Sequence, residues 1–194
     1  MIKKGFSAIE SVFVLAIIAL VIAGILLSNQ IIDKSTNQAA QGLTKTSQVT
    51  SIKNLSFWLE ASLDNSFNEN EASIDSNLST WYDNSSSGNI RHNATQSNSS
   101  SQPTYAKMSR GLNSVKFNGT TNFLTVNSSF LNGSDYTFFI VERRSSNKSG
   151  NYFIGDSTIA TENHGLLLGY SGNGSVIHSQ MGNNFYTANV SGYS

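Results

Sequence analysis

"KKGFSAIESVFVLAIIALVIAGILL", residues 3–27, decides how the chain begins to fold. From Val12 to Leu27 it runs sixteen residues without a polar side chain. A helix from Phe6 to Leu27 would hold twenty-two residues and span about 33 Å at roughly 1.5 Å per residue. That length fits a hydrocarbon core of about 30 Å. Ser7, Glu10 and Ser11 interrupt its leading edge. A carboxylate there is expensive, because an Asp at the centre of a spanning helix costs about 3 kcal/mol. Glu10 therefore needs either a cationic partner or a place at headgroup level beside Lys3 and Lys4. Those two lysines form the cytoplasmic flank expected of an inserted helix.

Composition narrows the class of molecule. The 194 residues suffice for one ordinary domain plus an extra element. Twelve basic side chains balance twelve acidic ones, which gives no footprint for nucleic acid or a polybasic membrane patch. No cysteine is present, so a disulfide framework and a Cys-based metal site are both excluded. Only 12% of residues are charged, and Ser, Asn, Thr and Gly supply the polar surface, as is common in exported proteins.

Three readings of the N-terminus compete. A cleaved secretory signal has a shorter apolar run and an A-x-A-like site, neither of which this segment offers. A plain membrane anchor accounts for the length but gives Glu10 no purpose. The third reading rests on "KKGFSAIESVFVLAIIAL", which resembles the leader of a type IV pilin or pseudopilin, a class III prepilin signal. Basic residues, Gly5, Phe6 and an acidic residue five places after the glycine all match in register. The resemblance implies that prepilin peptidase cuts after Gly5 and methylates the new amine of Phe6. It also implies that Glu10 pairs with the N-terminal amine of a neighbouring subunit during filament assembly. Opposite charges in a low-dielectric setting attract strongly, and each is costly alone. Loss of Lys3 and Lys4 would leave ten basic against twelve acidic residues, a net charge of −2. Many pilins carry a proline near the end of the apolar half of this helix; here there is Gly24 and no proline.

Beyond Leu27, apolar residues at Ile31, Ile32, Ala39, Ala40, Leu43, Val49, Ile52, Leu55 and Leu59 recur at several gaps of three, four or seven. That spacing predicts continuation of the helix to about residue 54 on an amphipathic stripe, weakened by Gly42 and its Ser/Thr neighbours. The organisation expected is a leader over 1–5, a long helix over 6–54 with 6–27 as the transmembrane or filament-core part, and a β domain over 55–194.

After Trp58 the pattern turns to short apolar alternations broken by Gly, Asn and Ser. "NFLTVN" predicts a half-buried strand, and "YTFFIV", residues 136–141, predicts one buried on both faces. Asn118-Gly119, Asn132-Gly133 and Gly172-Asn173-Gly174 mark turns. Residues 84–102 read as a long polar loop with at most a short strand. Strands at about ten-residue spacing suggest a sandwich.

In order, "WYDNSSSGNIRHNATQ", "GLNSVKFNGTTNFLTV", "YTFFIVERR" and "GLLLGYSGNGSVIHSQMGNNFY" are similar to laminin-G or concanavalin A-like domains of bacterial surface proteins. Trp81, Asp83, Gly88 and Asn89, then Phe117, Gly119 and Leu124, carry that likeness. It implies an α+β chain whose long helix leads into an antiparallel jelly-roll sandwich. Such sandwiches usually continue with further strands, so the resemblance implies either a fragment lacking C-terminal strands or a trimmed version of the domain.

Chemistry in the sandwich is not expected. Glycosidases of this architecture need two facing carboxylates, and Glu69 and Glu71 of "NENE" fall in a polar loop. His92, His164 and His178 are dispersed, and no G-x-S-x-G elbow occurs. The chain therefore reads as a non-enzyme without a required cofactor. Domains it resembles often take calcium or glycans, and calcium needs six to eight oxygens. Asp83 with Asn84, Asn132 with Asp135, and Asp156 are loop oxygen donors of that kind, although Asp and Asn also open turns for local reasons. Trp81 and Tyr82 are aromatic candidates for sugar contact, with Trp81 the better core residue.

The function expected is a pilin-like subunit assembled with copies of itself and other pilins. It would pass from the inner membrane to an extracellular filament on the cell surface. The alternative is a low-copy pseudopilin, minor pilin or anchored adhesin whose sandwich binds glycan or a surface partner.

Overall fold

The computed structural model describes residues 8–86, 90–108, 111–131, 135–145, 151–155, 166–170, 176–180 and 184–188. It divides into two compact units, Met1–Ser134 and Asp135–Ser194. The chain is α+β, with one long N-terminal helix and small antiparallel sheets.

Helix α1, Ala8–Lys45, has 38 residues and so runs about 57 Å. Every side chain from Ala8 to Ile32 is exposed. The expected helix to residue 54 is too long, and the end of α1 shows why. Thr46 donates to the Gly42 carbonyl from both its N–H (3.1 Å) and its hydroxyl (2.9 Å). Ser47 does the same to Thr44 at 3.2 and 2.8 Å. Hydroxyls that take over carbonyls in this way offer the backbone an alternative to the helical ladder. A 3-10 turn, Gln48–Ser51, follows, and Ile52 is extended.

The face that α1 turns inward also differs from expectation. Asp33, Thr36, Asn37, Ala40, Gln41 and Thr44 are half-buried, at the three- and four-residue spacing of one helix face. Ile31, Ile32 and Leu43 remain 68%, 60% and 73% exposed. The docking stripe is polar. Asp33 pairs with Lys107 at 2.8 Å, Gln41 Nε2 donates to Asp64 at 2.6 Å, and the Thr44 and Ser62 hydroxyls lie 3.1 Å apart.

The rest of the first unit is two ribbons of paired chain. In one, β1 (Thr80–Trp81) pairs antiparallel with β2 (Ala94–Thr95), extended by bridges Leu59–Asp83 and Thr95–Thr125. In the other, β3 (Thr104–Lys107) pairs with β4 (Asn113–Lys116), and Asn77 bridges to Thr104. Gly111 turns that hairpin at φ +76°, where a Cβ would also stand 2.7 Å from Asp33 Oδ1. Leu78, Phe67 and Tyr105 form the core between the ribbons, with Trp81, Val115 and Ala61 against it. Phe67 meets Tyr105 edge-on and Trp81 at a tilt, each at 5.7 Å.

In the second unit, β5 (Asn151–Gly155), β6 (Leu166–Tyr170), β7 (Val176–Gln180) and β8 (Asn184–Ala188) form an antiparallel sheet in chain order. A bulge interrupts β5 between Tyr152 and Ile154. Gly169 lies opposite Tyr152, where a Cβ would meet the Asn151 carbonyl and come within 2.6 Å of Tyr152 Cα.

Several expected strands form: β4 in "SVKFNG", β5 in "NYFIG", and β6 and β7 in "GLLLGYSGNGSVIH". "NFLTVN" alternates exposed and half-buried side chains but pairs only at Thr125. "YTFFIV" departs most. It carries no ladder, and Phe139 and Val141 are 87% and 101% exposed. A strand buried on both faces needs covering layers; among the described residues Tyr136 and Phe138 are half-buried while Phe139 and Val141 stay uncovered. Among the described residues the sheets do not join into a jelly-roll sandwich.

Leu78→Ala should cost about 2–5 kcal/mol, since it empties a fully buried site. Urea unfolding of the full chain in detergent checks this. Gly169→Ala should loosen the second unit, read as faster amide hydrogen exchange in β5 and β6.

Candidate assembly and binding sites

Glu10 lies in the first turn of α1 and is exposed. An acidic side chain at that end is favoured by the helix dipole. Gly5 and Phe6, the expected cleavage and methylation residues, lie outside the described residues, as do Asn132, Asp156 and His164. Asp135 is exposed at the start of the second unit.

Asp83 is the most connected carboxylate of the first unit. It is 4% exposed. Its Oδ1 accepts from the backbone N–H of Trp58 (3.0 Å) and Ser85 (2.9 Å). Its Oδ2 accepts from the His92 N–H and the Ser85 hydroxyl, both at 3.0 Å. A carboxylate offers about four lone-pair sites, and all four are engaged, so the side chain acts as a clamp on three chain segments. Arg91 donates to the carbonyls of Asp83 (3.0 Å) and Ser85. Burial raises the Asp83 pKa, but the N–H groups of His92, Ser85 and Trp58 outweigh it and hold the carboxyl below its ordinary value.

Glu71 also has a partner that spacing did not reveal. It accepts from the N–H and hydroxyl of Ser79 at 3.0 and 2.6 Å, while Glu69 stays exposed. Tyr82 donates to Asn68 at 2.6 Å, and Trp81 packs on the core. His92 sits against Phe130 at 4.7 Å, with Nδ1 3.0 Å from the Asn127 carbonyl. Among the described residues no three His, Cys, Asp or Glu side chains gather where a metal ion could bind.

No family model, no curated protein and no solved structure matches the chain. Helix α1 is long and apolar enough to cross a membrane by length and composition.

Because folding depresses the Asp83 pKa, the carboxylate contributes stability that is complete above the ordinary value of 3.8 and is lost as pH falls below it. Asp83→Ala should cost on the order of 3 kcal/mol, since each abandoned buried donor costs about 1–3 kcal/mol. It should also flatten the acid limb of a stability–pH curve, read from urea midpoints.

Proposed function

We propose that this chain is a type IV pilin-like subunit, processed after Gly5 and assembled through α1 into an extracellular filament. The observation that carries the reading is the apolar helix with Glu10 in its first turn and with exposed side chains from Ala8 to Ile32 among the described residues. Such a surface is stable in a bilayer before assembly and among copies of the same helix afterwards. Glu10 then meets the methylated amine of Phe6 on a neighbouring subunit, and the pairing of two otherwise costly charges sets axial register. The polar docking stripe supports this reading, because it leaves Ile31, Ile32 and Leu43 outward on the part of α1 that carries the globular region.

We further propose that the β region is of the laminin-G-like type and coats the filament. Its support is the uniformly antiparallel pairing and, in the first unit, a core held between two ribbons.

N-terminal mass spectrometry of the mature protein from its native membrane or filament fraction tests the proposal. A chain beginning at methylated Phe6, and lost on Gly5 substitution, is the expected result. Glu10→Ala should be processed normally yet yield no sheared filament. An intact Met1, or a cut near Leu27, overturns assembly.

A further inference from the structure

The turn that follows β4 holds a side-chain amide among more donors than its neutral form can use. The Asn118 N–H donates to Asn122 Oδ1 and the Asn122 N–H to Asn118 Oδ1, both at 3.0 Å. Asn118 Oδ1 also accepts from the N–H groups of Thr120 and Thr121, each at 2.9 Å. Three backbone donors thus converge on one oxygen. The other end of the amide is held as well, because Asn118 Nδ2 donates to the Thr121 hydroxyl at 2.8 Å. Residues 118–121 are exposed, so water reaches the group.

A neutral amide oxygen has two lone pairs, one fewer than the donors aimed at it. An oxyanion satisfies all three. Fixed backbone donors of this kind stabilise a tetrahedral intermediate more than the ground state. Asparagine is also among the thermally labile residues.

A nucleophile stands next in the chain. Gly119 has φ +67°, a conformation that glycine adopts without strain. Among the described residues its N–H donates to no acceptor, unlike those of the three residues after it. The tether between the two residues makes attack on the Asn118 Cγ intramolecular, through a five-membered ring. Asn98 and Asn127 lack this setting. Each precedes a serine, and the Oδ1 of each accepts a single backbone N–H, from Ser100 and Ser129.

We propose that Asn118 is a self-modification site, converted to aspartate and isoaspartate by attack of the Gly119 backbone nitrogen on the amide that the three N–H groups hold. The Gly119 N–H gives its proton to water as the N–Cγ bond forms, and Oδ1 takes the carbonyl electron pair. The Cγ–Nδ2 bond then breaks and the carbonyl re-forms. Nδ2 leaves as ammonia, with its added proton passed through the Thr121 hydroxyl. Water opens the resulting succinimide. Cleavage at N–Cγ restores the main chain with aspartate at 118, and cleavage at the backbone carbonyl leaves isoaspartate. In sum, water replaces ammonia and one negative charge is gained. The aspartate product keeps the turn, since a carboxylate accepts the same three N–H groups and the Thr121 hydroxyl through stronger, charge-assisted bonds. The site lies within one turn, so failure of the filament reading leaves it intact.

The test holds the full chain in detergent micelles, warm and at neutral pH, beside the same chain in concentrated urea. Peptide mapping reads the exchange of ammonia for water at each asparagine, and isoaspartyl methyltransferase labels isoaspartate. Asn118 should convert about tenfold faster folded than unfolded, about 1.4 kcal/mol of barrier. Asn98 and Asn127 should convert no faster folded than unfolded. Thr121→Val should lose most of the acceleration and Thr121→Ser should keep it, both with the parent's unfolding midpoint. If Thr121→Val does not fold, the folded and unfolded parent still decide. An Asn118 that stays intact while the urea sample converts, or that converts equally fast in both, would overturn the site. An unchanged rate in folded Thr121→Val would overturn the proton path.

Discussion

Fully burying a Val, Leu, Ile or Phe side chain is worth about 1.5–3 kcal/mol over leaving it in water. Helix α1 carries many such side chains between Val12 and Leu27, each about half to three-quarters exposed. No described part of the chain covers them, and the helix is long and apolar enough to cross a membrane by length and composition. It is regular from Ala8 to Lys45, as a helix in a bilayer would have to be. It breaks only at the hydroxyl-rich stretch after Gly42, where carbonyls find side-chain partners and water.

The globular part of the first unit holds the helix by polar means. Asp33, Gln41 and Thr44 meet Lys107, Asp64 and Ser62. The Asp33–Lys107 pair is partly exposed, and such pairs contribute only about 0–1 kcal/mol. Rigidity in the β ribbons comes from elsewhere. Asp83 clamps the backbone at Trp58, Ser85 and His92, and Glu71 clamps Ser79. Two buried or half-buried carboxylates thus do the work that long ladders do in larger sheets.

The helix was legible from sequence because its signal is local: a sustained apolar run with a stop of Gly, Thr and Ser. Its inward face was not, since the apolar residues at Ile31, Ile32 and Leu43 suggested a core stripe while the partners of Asp33 and Gln41 lie 74 and 23 residues away. Asp83 was visible as a loop oxygen donor, but its clamp depends on Trp58, 25 residues distant. The same limit applies to the pairing of Thr80 with Thr95 and of Thr95 with Thr125, which joins three separated segments. "YTFFIV" has the composition of a central strand, and composition alone does not supply the neighbours such a strand requires.

The seam between α1 and the β ribbons has a mechanical consequence. Its polar contacts are strung from Asp33 to Thr44, about 16 Å along the axis at the helical rise. A pull along that axis loads them together, in shear, and resists as their sum. A pull across the axis at the Lys45 end meets Thr44–Ser62 first, then Gln41–Asp64, then Asp33–Lys107, and peels them singly. The joint is therefore stiff lengthwise and yielding sideways.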